Sequence, residues 1–405
     1  MATIKGFKGV RYNLEKIPIK EVVTQPYDKI DKEMQARYYE KNPFNVVRLI
    51  LNKDSNPYLS AKNYFNEWLS REILIEDEEE SIYPYTQEYQ GKVRFGVVVI
   101  LKVEPFSTKV VLPHERTFSK AKEDRLNLLR ATGVHFGQIF MLYPDPKQEV
   151  KELVYNEIKN IPPLIEVEEE YEKGVIHRMW RISDEKIITK LQTLFNPMQL
   201  LIADGHHRYT TAINYWKEKP SCGYVMVTLI SMDDVGLTIL PVHRAIYGVE
   251  GLNFSEVGRY FEIREVKNVE EIKERIKNKK WSYGLYNGRF WCFQLKERKM
   301  IEEIITDKKI KEYKELDIVV LHKIMFHHIL KIPEERLAKK EGIEYLRKIE
   351  DGIKGVDEGK YDLFFILNPT KVEEIKKITS LGELMPQKST DFYPKLITGL
   401  VMYKG

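Results

Sequence analysis

An acid, a glycine, two imidazoles and a guanidinium stand in a row at Asp204-Gly205-His206-His207-Arg208. The apolar run Leu200-Leu201-Ile202-Ala203 precedes them, and Tyr209-Thr210-Thr211-Ala212-Ile213-Asn214-Tyr215-Trp216 follows. This pattern predicts a short strand, a turn at Gly205 and a helix that begins on the histidines. A helix start exposes unpaired N–H groups and the positive end of the helix dipole, so it suits phosphate. Arg208 can hold phosphate oxygens with two parallel bonds. A histidine can donate to phosphate or orient a carboxylate. Gly205, His206, His207 and Arg208 are therefore candidate nucleotide-phosphate contacts. Asp204 joins them as a further contact, as a helix cap or as a ligand for Mg²⁺.

A second polar cluster lies upstream at Pro113-His114-Glu115-Arg116-Thr117-Phe118. It follows an apolar stretch and precedes a helical pattern at 122–130, so it too marks the end of a strand. In open α/β sheets such strand ends collect at one edge and line a common crevice. Glu115 could then accept a hydroxyl proton while the oxygen attacks phosphorus, with His114 beside it. Farther on, the stretch from Pro386 to Pro394 is polar and proline-bounded, a candidate lid or phosphate clamp. Lys388 within it and Lys395 just after it are candidate phosphate contacts.

Other conspicuous residues have plainer readings. His206 and His207 are adjacent and point about 100° apart on a helix, which disfavours a shared structural metal. Pro26-Tyr27-Asp28 reads as a type I turn and Asp233-Asp234 as a hairpin turn. His322, His327 and His328 fall on an amphipathic helix, where they fill core or surface. Cys222 and Cys292 are expected to be buried thiols.

The elements that must position these groups read as mixed α/β. Strands are expected at 46–51, 83–89, 94–103, 109–112, 138–143, 223–230 and 237–243, with a strand pair over 165–181. Hairpins turn at Gln90-Gly91-Lys92 and Asn287-Gly288. Helices are expected at 61–69, 122–130, 147–160, 184–195 and 318–330. The length of 405 residues calls for more than one domain. The expected division is an N-terminal α/β region at 1–105, a catalytic region at 106–245 and a C-terminal α/β region at 246–405. Apolar content of 43% and charged content of 31% describe a globular chain. Eighteen consecutive apolar residues occur nowhere, so no membrane partner is expected. A net charge of +4 demands no nucleic-acid partner. Two cysteines and a start without an apolar leader suit a reducing cytoplasm.

Asp204-Gly205-His206-His207-Arg208-Tyr209, with Pro113-His114-Glu115 ahead of it, resembles the archaeal free-serine kinases of the ParB/sulfiredoxin-like group. The resemblance spans residues 110–217, and residues 145–195 form an insertion relative to that spacing. It implies a ParB/sulfiredoxin-like central fold and a small-molecule kinase. That enzyme would use ATP or ADP with Mg²⁺ to phosphorylate a free hydroxyl, that of L-serine, with Glu115 as base and the Gly-x-x-Arg turn at Gly205–Arg208 on the phosphates. Two other functions are compatible with such a fold: a nucleic-acid-binding protein or nuclease, and a nucleotide-binding regulator without chemistry. The whole chain resembles the family called domain of unknown function 1015. The resemblance is carried by Pro26-Tyr27-Asp28, Asn42-Pro43-Phe44-Asn45 with Arg48, Arg116-Thr117-Phe118, Asp124-Arg125-Leu126 and the run from Met385 to Lys395. Membership by itself implies no activity.

Overall fold

The computed structural model describes residues 1–115, 119–339 and 341–405. Arg116-Thr117-Phe118, part of the family resemblance, lie outside the described residues. The chain divides into two compact units, Met1–Thr238 with Phe392–Gly405, and Ile239–Asp391. Both are mixed α/β.

The first unit is built on a nine-stranded sheet among the described residues. Its strands in chain order are β1 (Ile4–Lys5), β2 (Tyr83–Tyr89), β3 (Lys92–Lys102), β4 (Val111–Leu112), β5 (Ile139–Tyr143), β6 (Ile165–Glu168), β7 (Ile176–Met179), β8 (Leu200–Asp204) and β9 (Tyr224–Ser231). They lie in the order β4-β8-β5-β9-β3-β2-β7-β6, with β1 paired to β3. The pairs β4/β8 and β5/β9 are parallel, and β8/β5, β9/β3 and β3/β2 antiparallel. Strand β3 carries Val97 to Leu101 without a polar break, and all five are buried, as expected for a strand covered on both faces. The β2–β3 hairpin turns on Gln90 and Gly91, both at positive φ (48° and 72°). Residue 105, the expected first border, follows β3 directly, and β3 is hydrogen-bonded along Val97–Leu101 to β9 from the far side of that border. The reason is that β3's apolar run needs neighbours on both edges.

Five helices matter to the site: α1 (Pro57–Ser70), α2 (Ser119–Thr132), α3 (Glu149–Ile158), α4 (Glu185–Phe195) and α5 (His206–Glu218). In α4 the buried residues Ile187, Leu191 and Phe195 recur every four positions, and the Asp184 carboxylate caps its first turn. They join Val97, Val99, Ile139, Met141, Ile202 and Leu229 in one core. On α1, Phe65 and Trp68 enter a second core with Leu49 and Phe136.

Two strand expectations fail for local reasons. Residues 47–50 are a helical turn rather than a strand. The Asn45 side chain accepts from Val47 N–H at 3.0 Å and donates to the Glu21 carbonyl at 2.7 Å, so a local side-chain turn overrides the β-branched run. The stretch 237–243 is broken into Thr238–Leu240 and His243–Ile246 around Pro241, which has no N–H for a continuous ladder.

The second unit holds a six-stranded antiparallel sheet among its described residues. Its strands are β10 (His243–Ile246), β11 (Phe261–Val266), β12 (Ser282–Tyr286), β13 (Phe290–Leu295), β14 (Ile343–Leu346) and β15 (Leu363–Ile366), in the order β11-β13-β12-β15-β10-β14. The Asn287-Gly288 hairpin is present between β12 and β13, with Gly288 at φ 90°. The expected helix at 318–330 is present, but Leu321–Ile329 is wound as a π-helix.

The first core sets a test of the fold. Phe195 is fully buried and meets Tyr143 edge-on at 4.7 Å between centroids. Phe195→Ala should cost about 3–5 kcal/mol, read as a lower urea midpoint with an unchanged slope. A loss below about 1 kcal/mol would contradict this packing.

Candidate active site

The parallel pairing of β4 and β8 sets Val111 opposite Leu200 and Leu112 opposite Leu201. Parallel neighbours end at the same edge, so Pro113-His114-Glu115 and Asp204-Gly205 emerge side by side. The backbone N–H of His114 donates to His206 Nε2 at 3.2 Å, and the two rings meet edge-on at 4.5 Å. A shift of register in β8 between Ile202 and Asp204 re-aims the strand end, as bulges beside sites commonly do. Gly205 follows at φ 95° and opens α5. A Cβ there would be both strained and 3.1 Å from the Arg208 guanidinium.

The two buried imidazoles are held in defined forms. His114 Nδ1 lies 2.6 Å from the Ile202 carbonyl, so Nδ1 carries the proton and donates. Its Nε2 then carries no proton, and the Glu115 Oε1 is 3.9 Å away from it. Burial lowers the pKa of His114, although Glu115 works against that. Burial and the neighbouring His114 push His206 well below the usual imidazole range. Both rings are neutral at pH 7. As the acceptor for the His114 N–H, His206 Nε2 must leave its own proton on Nδ1.

Charge around Asp204 is the opposite of a metal cage. Burial alone would raise its carboxyl, but Lys395 and Arg208 foremost, with Lys29, hold it down to about 2. Arg208 Nη2 lies 3.6 Å from the carboxylate and Lys395 Nζ 3.9 Å. Both distances exceed a hydrogen bond, so Asp204 places two cations by charge. The Asp204 expectation as a Mg²⁺ ligand does not fit this donor set. Among the described residues no group of three His, Cys, Asp or Glu side chains gathers to hold a metal. The arrangement is suited to a polyanion: two cations, with Lys29 beside them, at the partly buried start of a 13-residue helix.

Arg208 also donates to the Gln138 carbonyl, just before β5. Gly137 makes room for this, since a Cβ there would come within 3.3 Å of Arg208 Nη1. Lys395 is delivered differently. Arg94, fully buried on β3, donates to the carbonyls of Tyr393 (2.8 Å) and Pro394 (2.5 Å) and to the Gln87 side chain. Gln87 Nε2 in turn donates to the Lys395 carbonyl at 2.8 Å. Two side chains of the β2–β3 hairpin thus grip three consecutive carbonyls of the returning tail.

Of the residues singled out in the sequence, His114, Glu115, Asp204, Gly205, His206, His207, Arg208 and Lys395 belong to the first unit around these two strand ends. Lys388 belongs to the second unit, where its side chain is exposed and its carbonyl accepts from Arg244. Asp233 and Asp234 are turn residues, accepting from the Asp145 and Gly236 N–H groups. His322 packs against Phe326, and His328 meets Tyr260. Cys222 and Cys292 are buried free thiols. Lys29, Gln87 and Arg94 were missed. Lys29 directly follows the Pro26-Tyr27-Asp28 motif, which was a usable signal. The alternation of strands β2 and β3 gave no hint that two inward positions would be polar.

The family model described as Protein of unknown function (DUF1015) matches residues 4–319. The chain belongs to the DUF1015 family. No curated protein matches this DUF1015 chain. Among solved structures it is similar to a conserved hypothetical protein from Pyrococcus furiosus, at 16% identity and a TM-score of 0.35, over 75% of this chain and 95% of that one. It is similar to a point mutant of a free serine kinase in complex with AMP, at 15% identity and a TM-score of 0.37, over 75% and 92% of the two chains. A third is SbnI with C-terminal truncation from Staphylococcus aureus, at 10% identity and a TM-score of 0.37, over 74% and 85%. No helix among the described residues of this DUF1015 chain is long and apolar enough to cross a membrane.

Buried neutral histidines give the DUF1015 chain a pH signature. Burial lowers His135 to about 4 and His177 to about 3 in the first unit, and His243 to about 3 in the second. Unfolded, each would titrate near pH ~6.5. The unfolded chain therefore binds more protons below that pH, and stability falls as pH drops from about 6.5 toward 4. Asp317, raised to about 6 by burial, and Asp145, also raised by burial, act in the opposite direction, against three histidines with larger shifts. Urea midpoints at pH 7, 5.5 and 4.5 should fall in that order. A flat profile would show that the histidines are not buried neutral.

Proposed function

We propose that this protein is a phosphotransferase that moves a phosphoryl group from ATP or ADP to the hydroxyl of a small molecule, with L-serine as the acceptor the resemblance implies. The observation that carries this reading is the bond from the His114 N–H to His206 Nε2, because it ties a carboxylate-bearing strand end to a cationic helix start. Either alone is an ordinary turn. Together they offer a proton acceptor and a polyanion cradle within one site.

In this reading the hydroxyl oxygen attacks the terminal phosphorus while Glu115 takes its proton. The bond from phosphorus to the bridging oxygen breaks, and the shortened nucleotide leaves. Arg208, Lys395 and the first-turn N–H groups of α5 spread the charge that develops on the transferring oxygens. His207 lies on that same first turn and serves as a further phosphate contact. Asp204 keeps Arg208 and Lys395 aligned. His114, neutral and fixed with its proton on Nδ1, presents Nε2 towards Glu115 and orients the carboxyl group once it is protonated. Mg²⁺ belongs to this proposal as a companion of the nucleotide phosphates, and no step is assigned to a protein-bound metal.

The test is incubation with L-serine, Mg²⁺ and either ATP or ADP, followed by detection of O-phosphoserine. Glu115→Gln should lower kcat by ~10²–10⁴-fold and leave nucleotide affinity within about twofold. Arg208→Ala should weaken nucleotide binding as well as turnover. Native turnover by Glu115→Gln would remove Glu115 from its role.

A further inference from the structure

A cleft of about 60 Å³ opens beside the Gly205–Arg208 turn within the first unit, and the phosphate contacts leave it unused. Its floor is apolar, made by Leu128 and Leu129 of α2 with Phe136 and Ile139. Tyr27, Arg125 and Arg208 also line it. The Arg125 guanidinium lies 4.3 Å over the Tyr27 ring, so the two side chains make a flat, polarisable pair beside the apolar lining. The Asp124 carboxylate fixes that guanidinium from the adjacent position, and Tyr58 donates to Asp124 at 2.9 Å. Gly137 also lines the cleft, and a side chain there would displace Arg208. A single guanidinium is thus shared between an apolar slot and a polyanion site.

That composition selects a ligand with a flat heterocycle at one end and phosphates at the other. A fatty chain would leave the Tyr27–Arg125 wall without a role, and an inorganic anion would leave the floor bare. We infer that this cleft seats the heterocyclic base of the phosphate donor, with Tyr27 and Arg125 as its stacking wall and Arg208 marking the passage from nucleoside to phosphates. The inference rests on the phosphotransferase reading, and it gives chemistry to two short motifs, Pro26-Tyr27-Asp28 and Asp124-Arg125-Leu126, that otherwise read as a turn and a helix face. Burial raises the pKa of Tyr27 first of all, and charge from Arg208, Asp28, Arg125 and Asp204 acts on it as well.

The base and the phosphates can be separated by probe. Binding of ADP and of inorganic tripolyphosphate is measured by calorimetry on the full chain, for wild type, Tyr27→Ala, Arg125→Ala and Arg208→Ala. Loss of a stacking partner should raise the ADP Kd about tenfold or more for Tyr27→Ala and Arg125→Ala. Tripolyphosphate, which has no base, should change by less than twofold in those two variants and weaken clearly in Arg208→Ala. Photolabelling of the wild-type chain with 8-azido-ADP needs no variant to fold, and it should mark peptides containing Tyr27 or residues 125–139. ADP binding that ignores Tyr27 and Arg125, or label placed elsewhere, overturns the cleft assignment and leaves the phosphotransferase reading standing. Failure of the wild-type chain to bind ADP at all overturns both.

Discussion

The pairing of two short parallel strands, Val111–Leu112 with Leu200–Leu201, is the constraint on which the site depends. Only two residue pairs are in register, yet parallel alignment decides that both strands finish at the same edge of the sheet. An antiparallel pairing would have sent Glu115 and Asp204 to opposite edges. The strand interior makes the pairing firm, because Val111, Leu200, Leu201 and Ile202 are all buried. The bond from His114 to His206 then locks the two exits together.

Around that lock the charges are arranged about Asp204. Asp204 stays ionised inside a cationic surround, with Arg208 and Lys395 at 3.6 and 3.9 Å from its carboxylate. Such a carboxylate organises positive charge without fully neutralising it, which leaves a field suited to a polyanion. Neutral His114 and His206 add no charge and supply directional contacts instead. The cleft beside Arg208 is lined largely by apolar side chains, so the same guanidinium borders both an apolar surface and the cationic turn.

Much of the local structure was legible in the chain. The strand, glycine and helix at 200–218, the hairpins at Gln90-Gly91 and Asn287-Gly288, and the helix at 185–195 follow from periodicity and turn chemistry that act over a few residues. The helical turn at 47–50 was not legible, because the Asn45 side chain makes a local turn that the β-branched run conceals. The expected border at 105 met the same difficulty, since nothing in the run from Val97 to Leu101 names the strand that will cover its edge.

By itself the sequence determined which groups are available: the Asp-Gly-His-His-Arg run, the His-Glu tip, and a helix start ready to receive an anion. These are local properties, set by residue type and by spacings shorter than one helical turn. Tertiary structure decided what those groups face. It brought Lys395 to Asp204 through the grip of Arg94 and Gln87 on the tail, and it set Tyr27 and Arg125 together in the lining of one cleft. The physical reason is that buried polar groups must find partners wherever the folded chain offers them. Here those partners lie about 100 to 300 positions away in the sequence, where no local pattern reaches.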